Sequence, residues 1–176
     1  MRSQLSRSTP QIGGGRTKPK VKPEYIVGLT DGEGCFYVNL RPARTSTGHP
    51  WVETHFYLKV KIEDRPMLEA IISTLGCGAI YLQKDSRPNH SQCVRYEVNN
   101  RKDIRNKIVR LFTEYPLLSV KRYDFRIFAK ISQMVDQKEH LTPIGFAIIR
   151  DLKAQMNCRT RRVRENRSLG GNSRPA

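Results

Sequence analysis

The chain has 176 residues, of which 38% are hydrophobic and 27% charged, and it carries a formal charge of +16. That length admits one domain with a sizeable core plus tails, and no apolar run approaches membrane-spanning length, so no membrane partner is expected. The excess of base points instead to a polyanionic partner.

Residues 1–23 carry six Lys/Arg and no acid, and residues 157–176 carry six Arg and one Glu, so the stretch between them retains +5 of the total. Pro10, Gly13, Gly14, Gly15 and Pro19 make residues 1–22 a basic flexible arm. Residues 158–176 read as a basic flexible tail, and 23–157 as the folded domain. Pro23 suits the first turn of a helix. That helix carries Gly28 and Gly32 at one-turn spacing and runs directly into Asp31 and Glu33, where Gly34 ends it. Alternation over 36–41 predicts a strand at once, followed by a polar loop at 42–50. A second strand, about 52–62, sets Phe56, Leu58, Val60 and Ile62 on one face and His55, Tyr57, Lys59 and Lys61 on the other.

Asp64 can cap the next helix, with Pro66 in its first turn and Met67, Leu68, Ile71, Ile72 and Leu75 as its buried stripe. Gly76-Cys77-Gly78 stops it. A hairpin is expected from 79–84 and 92–99 around a turn at 86–91. Helical spacing returns with Ile104, Ile108, Leu111 and Phe112. Pro116 separates that helix from one carrying Phe125, Phe128, Ile131 and Val135. A last helix, about 143–156, presents Ile144, Ile148 and Leu152. The order is αββαββα with extra C-terminal helices. It predicts an α+β fold, a four-stranded antiparallel sheet with helices on one face. There is no internal repeat and no second acidic motif.

In such a sheet the apolar set of each strand faces the helices and the other set faces outward. The outward set is Tyr37, Asn39, Arg41, Tyr57, Lys59, Lys61, Tyr81, Gln83, Arg95, Glu97 and Asn99. Arg44 and Lys84 extend its cationic part. Cations for phosphates are mixed with Asn, Gln and Glu, which can pair to base edges in a major groove, and acids other than Glu97 are nearly absent. The four cysteines, Cys35, Cys77, Cys93 and Cys158, lack C-x-x-C spacing and paired histidines. Core thiols in a reducing compartment are expected, and structural zinc is not. No apolar signal-peptide core follows Met1, so secretion is not expected.

The glycines at 28 and 32 fall on one helix face and expose backbone there. Two copies of the helix can therefore pack closely, bringing two Glu33 carboxylates together through an interface of Val27, Gly28, Asp31 and Gly32. Read as a calcium loop from Asp31, the segment fails, because the closing glutamate position holds Pro42.

The stretch Ile26-Val27-Gly28-Leu29-Thr30-Asp31-Gly32-Glu33-Gly34 resembles the signature of the LAGLIDADG homing endonucleases. Every glycine and acidic slot is filled, and Glu33 stands where a second aspartate is commoner. Pro116-Leu117-Leu118-Ser119-Val120-Lys121 is similar to the family's proline-to-lysine stretch. Lys138-Glu139-His140-Leu141 is similar to a run in fungal organellar members.

The resemblance covers roughly residues 24–157. It implies the αββαββα endonuclease fold and a site-specific, double-strand DNA endonuclease of the intron-homing type. With one motif per chain, it implies a homodimer acting on a long pseudo-palindromic site. It assigns Mg²⁺ to Glu33 with help from the Gly32 carbonyl, with Mn²⁺ or Ca²⁺ able to occupy the same site. Lys121 would stabilise the scissile phosphate or the attacking water, and Asp31 would fix the helix end. A polar residue that many relatives carry near the end of strand two falls here near Ile62, flanked by Lys61 and Glu63. The alternative on the same fold is an RNA-binding intron maturase or a non-catalytic nucleic-acid-binding descendant. An organelle (mitochondrion or chloroplast) or a bacterial cytoplasm is the expected compartment.

Overall fold

The computed structural model describes residues 19–43, 45, 48–83 and 91–156. Arg44, Lys84, most of the expected turn at 86–91, residues 1–18 of the basic arm, and the basic tail with Cys158 lie outside the described residues. Helix α1 (Pro23–Glu33) opens with proline in its first turn and buries Ile26, Val27 and Thr30. Strand β1 (Gly34–Arg41) follows without a linker. It pairs antiparallel with β2 (Trp51–Lys61) in the register Gly34↔Leu58 through Arg41↔Trp51. A 3₁₀ turn (Ile62–Asp64) leads into helix α2 (Arg65–Leu75). Strands β3 (Ala79–Gln83) and β4 (Cys93–Val98) complete an antiparallel sheet of order β1-β2-β4-β3.

Helix α3 (101–114) is capped by Asn100, whose Oδ1 accepts from the amides of Lys102 and Asp103. It is widened to π geometry over Ile104–Val109. Helices α4 (Lys121–Asp136) and α5 (Pro143–Gln155) follow, so the expected element order is present, extra helices included. Period-two burial drives the assembly. Phe36, Val38, Val52, Phe56, Leu58, Val94, Tyr96 and Val98 are buried, and their strand neighbours are turned to solvent or only half-buried. Phe36 sits at the junction. Its ring centroid lies 5.2–5.5 Å from those of Phe56 on β2, Phe112 on α3, and Phe125 and Phe128 on α4. Four elements are tied by one aromatic side chain.

Several local expectations are corrected. Asp64 occupies the N-cap position of α2, but its side chain makes no capping hydrogen bond, because the 3₁₀ turn already carries the chain into helical geometry. Helix α5 packs through Gly145 and Ile149, leaving Ile144 76% and Ile148 45% exposed. A side chain at 145 would collide with the Glu139 carbonyl, so the close approach there rotates the helix away from the expected stripe. Cys35 is exposed and Cys93 half-buried, so only Cys77 among the described cysteines is a core thiol. No helix among the described residues is long and apolar enough to cross a membrane.

Gly34 has an ordinary backbone conformation (φ −77°), so it is required by contact and not by torsion. A Cβ there would stand 2.7 Å from the carbonyl oxygen and 2.8 Å from Cα of Thr30, a residue that is itself fully buried. Gly34→Ala is therefore expected to lower the unfolding free energy by about 2 kcal/mol, the usual magnitude for overpacking a rigid site. Urea denaturation of the two proteins measures it.

Candidate functional site

Helix α1 has no basic residue in its last turn to balance the negative end of its dipole. The charge comes from another element. Lys121, first residue of α4, donates from Nζ to the Thr30 carbonyl at 3.1 Å and to the Gly32 carbonyl at 2.8 Å. Burial pulls the Lys121 ammonium below its ordinary pKa, and Glu33 is first among the nearby anions that oppose this. The carbonyl expected to help hold a metal is thus engaged by an ammonium.

Asp31 answers from the helix side. Its Oδ2 accepts from the Leu118 amide at 3.0 Å, and its Oδ1 accepts from the Ser119 amide at 3.1 Å and the Ser119 hydroxyl at 2.6 Å. Burial acts to raise the Asp31 carboxyl, but these hydrogen bonds and the neighbouring Lys121 together hold it below the ordinary aspartate range. Asp31 therefore fixes the segment that delivers Lys121.

Glu33 ends α1 in an exposed position. It lines a cavity of about 740 Å³ with Lys59, Lys61, Asp64, Met67 and Cys93. Ile62, the residue at the expected polar slot, is half-buried against the core instead. Lys61 is the polar side chain that the end of β2 presents to this cavity. Gly28 and Gly32 are exposed, and a Cβ on either would meet nothing within 4 Å, so α1 presents bare backbone to solvent. A second cavity, about 350 Å³, flanks Gly28 between Val27, Asp31, Tyr115, Pro116 and Leu118. Val27 itself is turned into the chain's own core, at 8% exposure.

The pairing register puts Tyr37, Asn39, Arg41, Tyr57, Lys59, Lys61, Tyr81, Gln83, Arg95 and Glu97 on one face of the sheet, with Asn99 just beyond β4. Tyr37 and Tyr81 are 43% and 48% exposed, so the face is open. Trp51 and Glu53 share this face on β2 without having been named in the sequence reading, and His55, which that reading did place on this face, was left out of its candidate contacts. Their parity, odd like Tyr57 and Lys59, was the signal that could have included them. Glu53 accepts from Asn39 Nδ2 at 2.8 Å and stands 3.5 Å from Arg41. Glu97 accepts from His55 at 2.9 Å and Arg95 at 3.0 Å. Among the described strand residues this face therefore holds two acids, both engaged by neighbours. Burial first, then Glu97, pushes the Tyr57 phenol up to about 12, which keeps it neutral.

With this geometry in view, the chain matches the LAGLIDADG endonuclease family over residues 26–132. It is 30% identical over 139 residues to the probable intron-encoded endonuclease 3 of Neurospora crassa, covering 78% of this chain and 25% of that protein. The homing endonuclease I-TnaI superposes with a TM-score of 0.68 at 32% identity, over 84% of this chain and 98% of that one. The meganuclease I-SmaMI, bound to uncleaveable DNA, superposes with a TM-score of 0.69 at 33% identity, over 78% of this chain and 45% of its own. The same protein, bound to an uncleaved DNA target in the presence of calcium ions, gives 0.67 at 32% identity, over 77% and 45%. The chain spans about a quarter to two-fifths of the length of the curated relatives it matches.

The depressed Asp31 pKa has a stability consequence. Its contribution is complete above the ordinary aspartate value and is lost as pH falls through the lower folded value. Asp31→Asn should destabilise by about 1 kcal/mol at neutral pH, a figure reduced for partial exposure. The gap to the unsubstituted protein should narrow on acidification below about pH 4. Denaturation midpoints across that range measure both.

Proposed function

The chain belongs to the LAGLIDADG endonuclease family, and on that premise we propose that it is an intron-encoded homing endonuclease that hydrolyses both strands of a specific DNA target. The observation that carries the reading is the grouping of Glu33 with Lys59 and Lys61 around one cavity and with Lys121 at the α1 terminus, beside an open polar sheet face.

The donor set fits a hard divalent cation. Glu33 offers an exposed carboxylate. Among the described residues no group of three or more His, Cys, Asp or Glu could hold a metal alone. A sparse oxygen site completed by water and substrate phosphate suits Mg²⁺, with Mn²⁺ or Ca²⁺ as substitutes, and not a tetrahedral zinc site. When bound, such a cation supplies an activated water and neutralises charge on the leaving oxygen. Glu33 is the carboxylate assigned to hold it, adjoined by the Gly32 carbonyl. Lys121, fixed on that carbonyl, places positive charge where the scissile phosphate develops charge. Lys59 and Lys61 hold the flanking backbone.

Two copies packed through the bare α1 surface at Gly28 and Gly32 would pair two Glu33 sites for the two strands. Leu118, 85% exposed beside the cavity at Gly28, supplies apolar surface for the same seam. Spanning 45% of I-SmaMI but 98% of I-TnaI supports assembly from two halves of this size. A homodimer of this kind reads a long, pseudo-palindromic site. The intron-encoded fungal relative supports an intron-borne role, and an organelle is the compartment we assign.

Glu33→Gln should abolish Mg²⁺-dependent nicking and linearisation of a supercoiled plasmid carrying the target while leaving gel-shift affinity within about twofold. Lys121→Met should slow cleavage by roughly a hundredfold or more. Retained cleavage in Glu33→Gln would end the assignment. Gly28→Leu, which fills space without touching the core, should shift the chain from dimer to monomer in sedimentation equilibrium.

A further inference from the structure

Resting on the DNA-cleavage reading, we infer that Glu97 is a positioning residue for sequence discrimination: it holds Arg95 as a fixed reader of a guanine edge and is not itself a base contact. Two carboxylates on a face that must approach a polyanion are unfavourable, because like charges repel phosphate. Neither is loose. The Glu97 side chain is 10% exposed and accepts from His55 Nδ1 at 2.9 Å, Asn99 Nδ2 at 3.4 Å and Arg95 Nη2 at 3.0 Å. Glu53, 31% exposed, accepts from Asn39 and the Trp51 side chain and faces Arg41.

His55 straps the two acids together. Its Nε2 stands 3.9 Å from Glu53, and its ring lies 5.9 Å from Tyr37 and 5.5 Å from Tyr57, centroid to centroid. The guanidinium of Arg95 lies 4.5 Å above the Tyr57 ring, so it is pinned in its plane by stacking and along one edge by Glu97.

A guanidinium has five N–H donors; Glu97 takes one of them, and the Nε–H is buried without a partner, which leaves those on the two terminal nitrogens. The rest remain in a fixed plane, and the commonest partner for such a plane in a major groove is the O6/N7 edge of guanine. Because rotamer freedom is lost before DNA arrives, Arg95 cannot swing to a phosphate when the wrong base is present. That restriction converts affinity into discrimination. The acids repel every DNA alike, and the fixed Arg95 favours one base pair.

The test uses the full chain, with Glu97→Gln, Arg95→Ala and the double variant, in binding-site selection from randomised duplex DNA. Melting temperature is followed in parallel. The unsubstituted protein should enrich a defined site with guanine at the pair facing Arg95. Glu97→Gln should lower the preference for guanine there by about tenfold, leave other positions unchanged, and add nothing in the Arg95→Ala background. Equal stringency in Glu97→Gln overturns the inference while sparing the DNA-cleavage reading, as does a uniform loss at all positions with a lowered melting temperature. A wild-type chain that enriches no sequence overturns both.

Discussion

The end of α1 and the start of α4 are clamped reciprocally, and the candidate site exists because of that clamp. The helix end offers the Gly32 carbonyl, and Lys121 brings an ammonium to it and to the Thr30 carbonyl, which already accepts from the Gly34 amide. The segment before α4 offers free amides at Leu118 and Ser119, and the helix brings the Asp31 carboxylate to them. Each side satisfies the other's unpaired backbone groups, which is the condition for ending a helix in a partly buried place. With both ends fixed, the backbone that carries Glu33 is held in place. Gly34, in contact with Thr30, starts the sheet immediately beyond it.

The strands turn this anchored end into an ordered surface. Along β2 the same face carries Trp51, Glu53 and His55, then Tyr57, then Lys59 and Lys61 beside Glu33. At about 3.3 Å per residue, Glu53 and Lys61 lie roughly 26 Å apart along this strand, while Arg95 on β4 stands directly opposite Lys59. The acids that seem out of place on a basic face are each engaged by neighbouring cations and amides.

Much of the fold was legible in the residues, because its signals are local. Period-two alternation in 36–41 and 93–98 set the inner and outer faces, and Pro23, Gly76 and Gly78 marked helix starts and turns. The parity rule found Tyr37, Asn39, Lys59 and Arg95 together. Where a local signal met a tertiary one, the tertiary one won. Asp64 does not cap, and α5 rotates to bring Gly145 against a carbonyl.

From sequence alone came the order of elements, the open polar face, and the proposal of Glu33 and Lys121 as the residues that carry the chemistry. They are matters of pattern within a few residues, or of likeness to a family. Tertiary structure alone decided what each charged group touches. Asp31 and Leu118 lie 87 positions apart, and Lys121 and Gly32 lie 89 apart, distances over which periodicity carries no information. The pairing of His55 with Glu97 likewise depends on the register between β2 and β4. Hydrogen bonds act over about 3 Å, so only the folded chain can choose their partners.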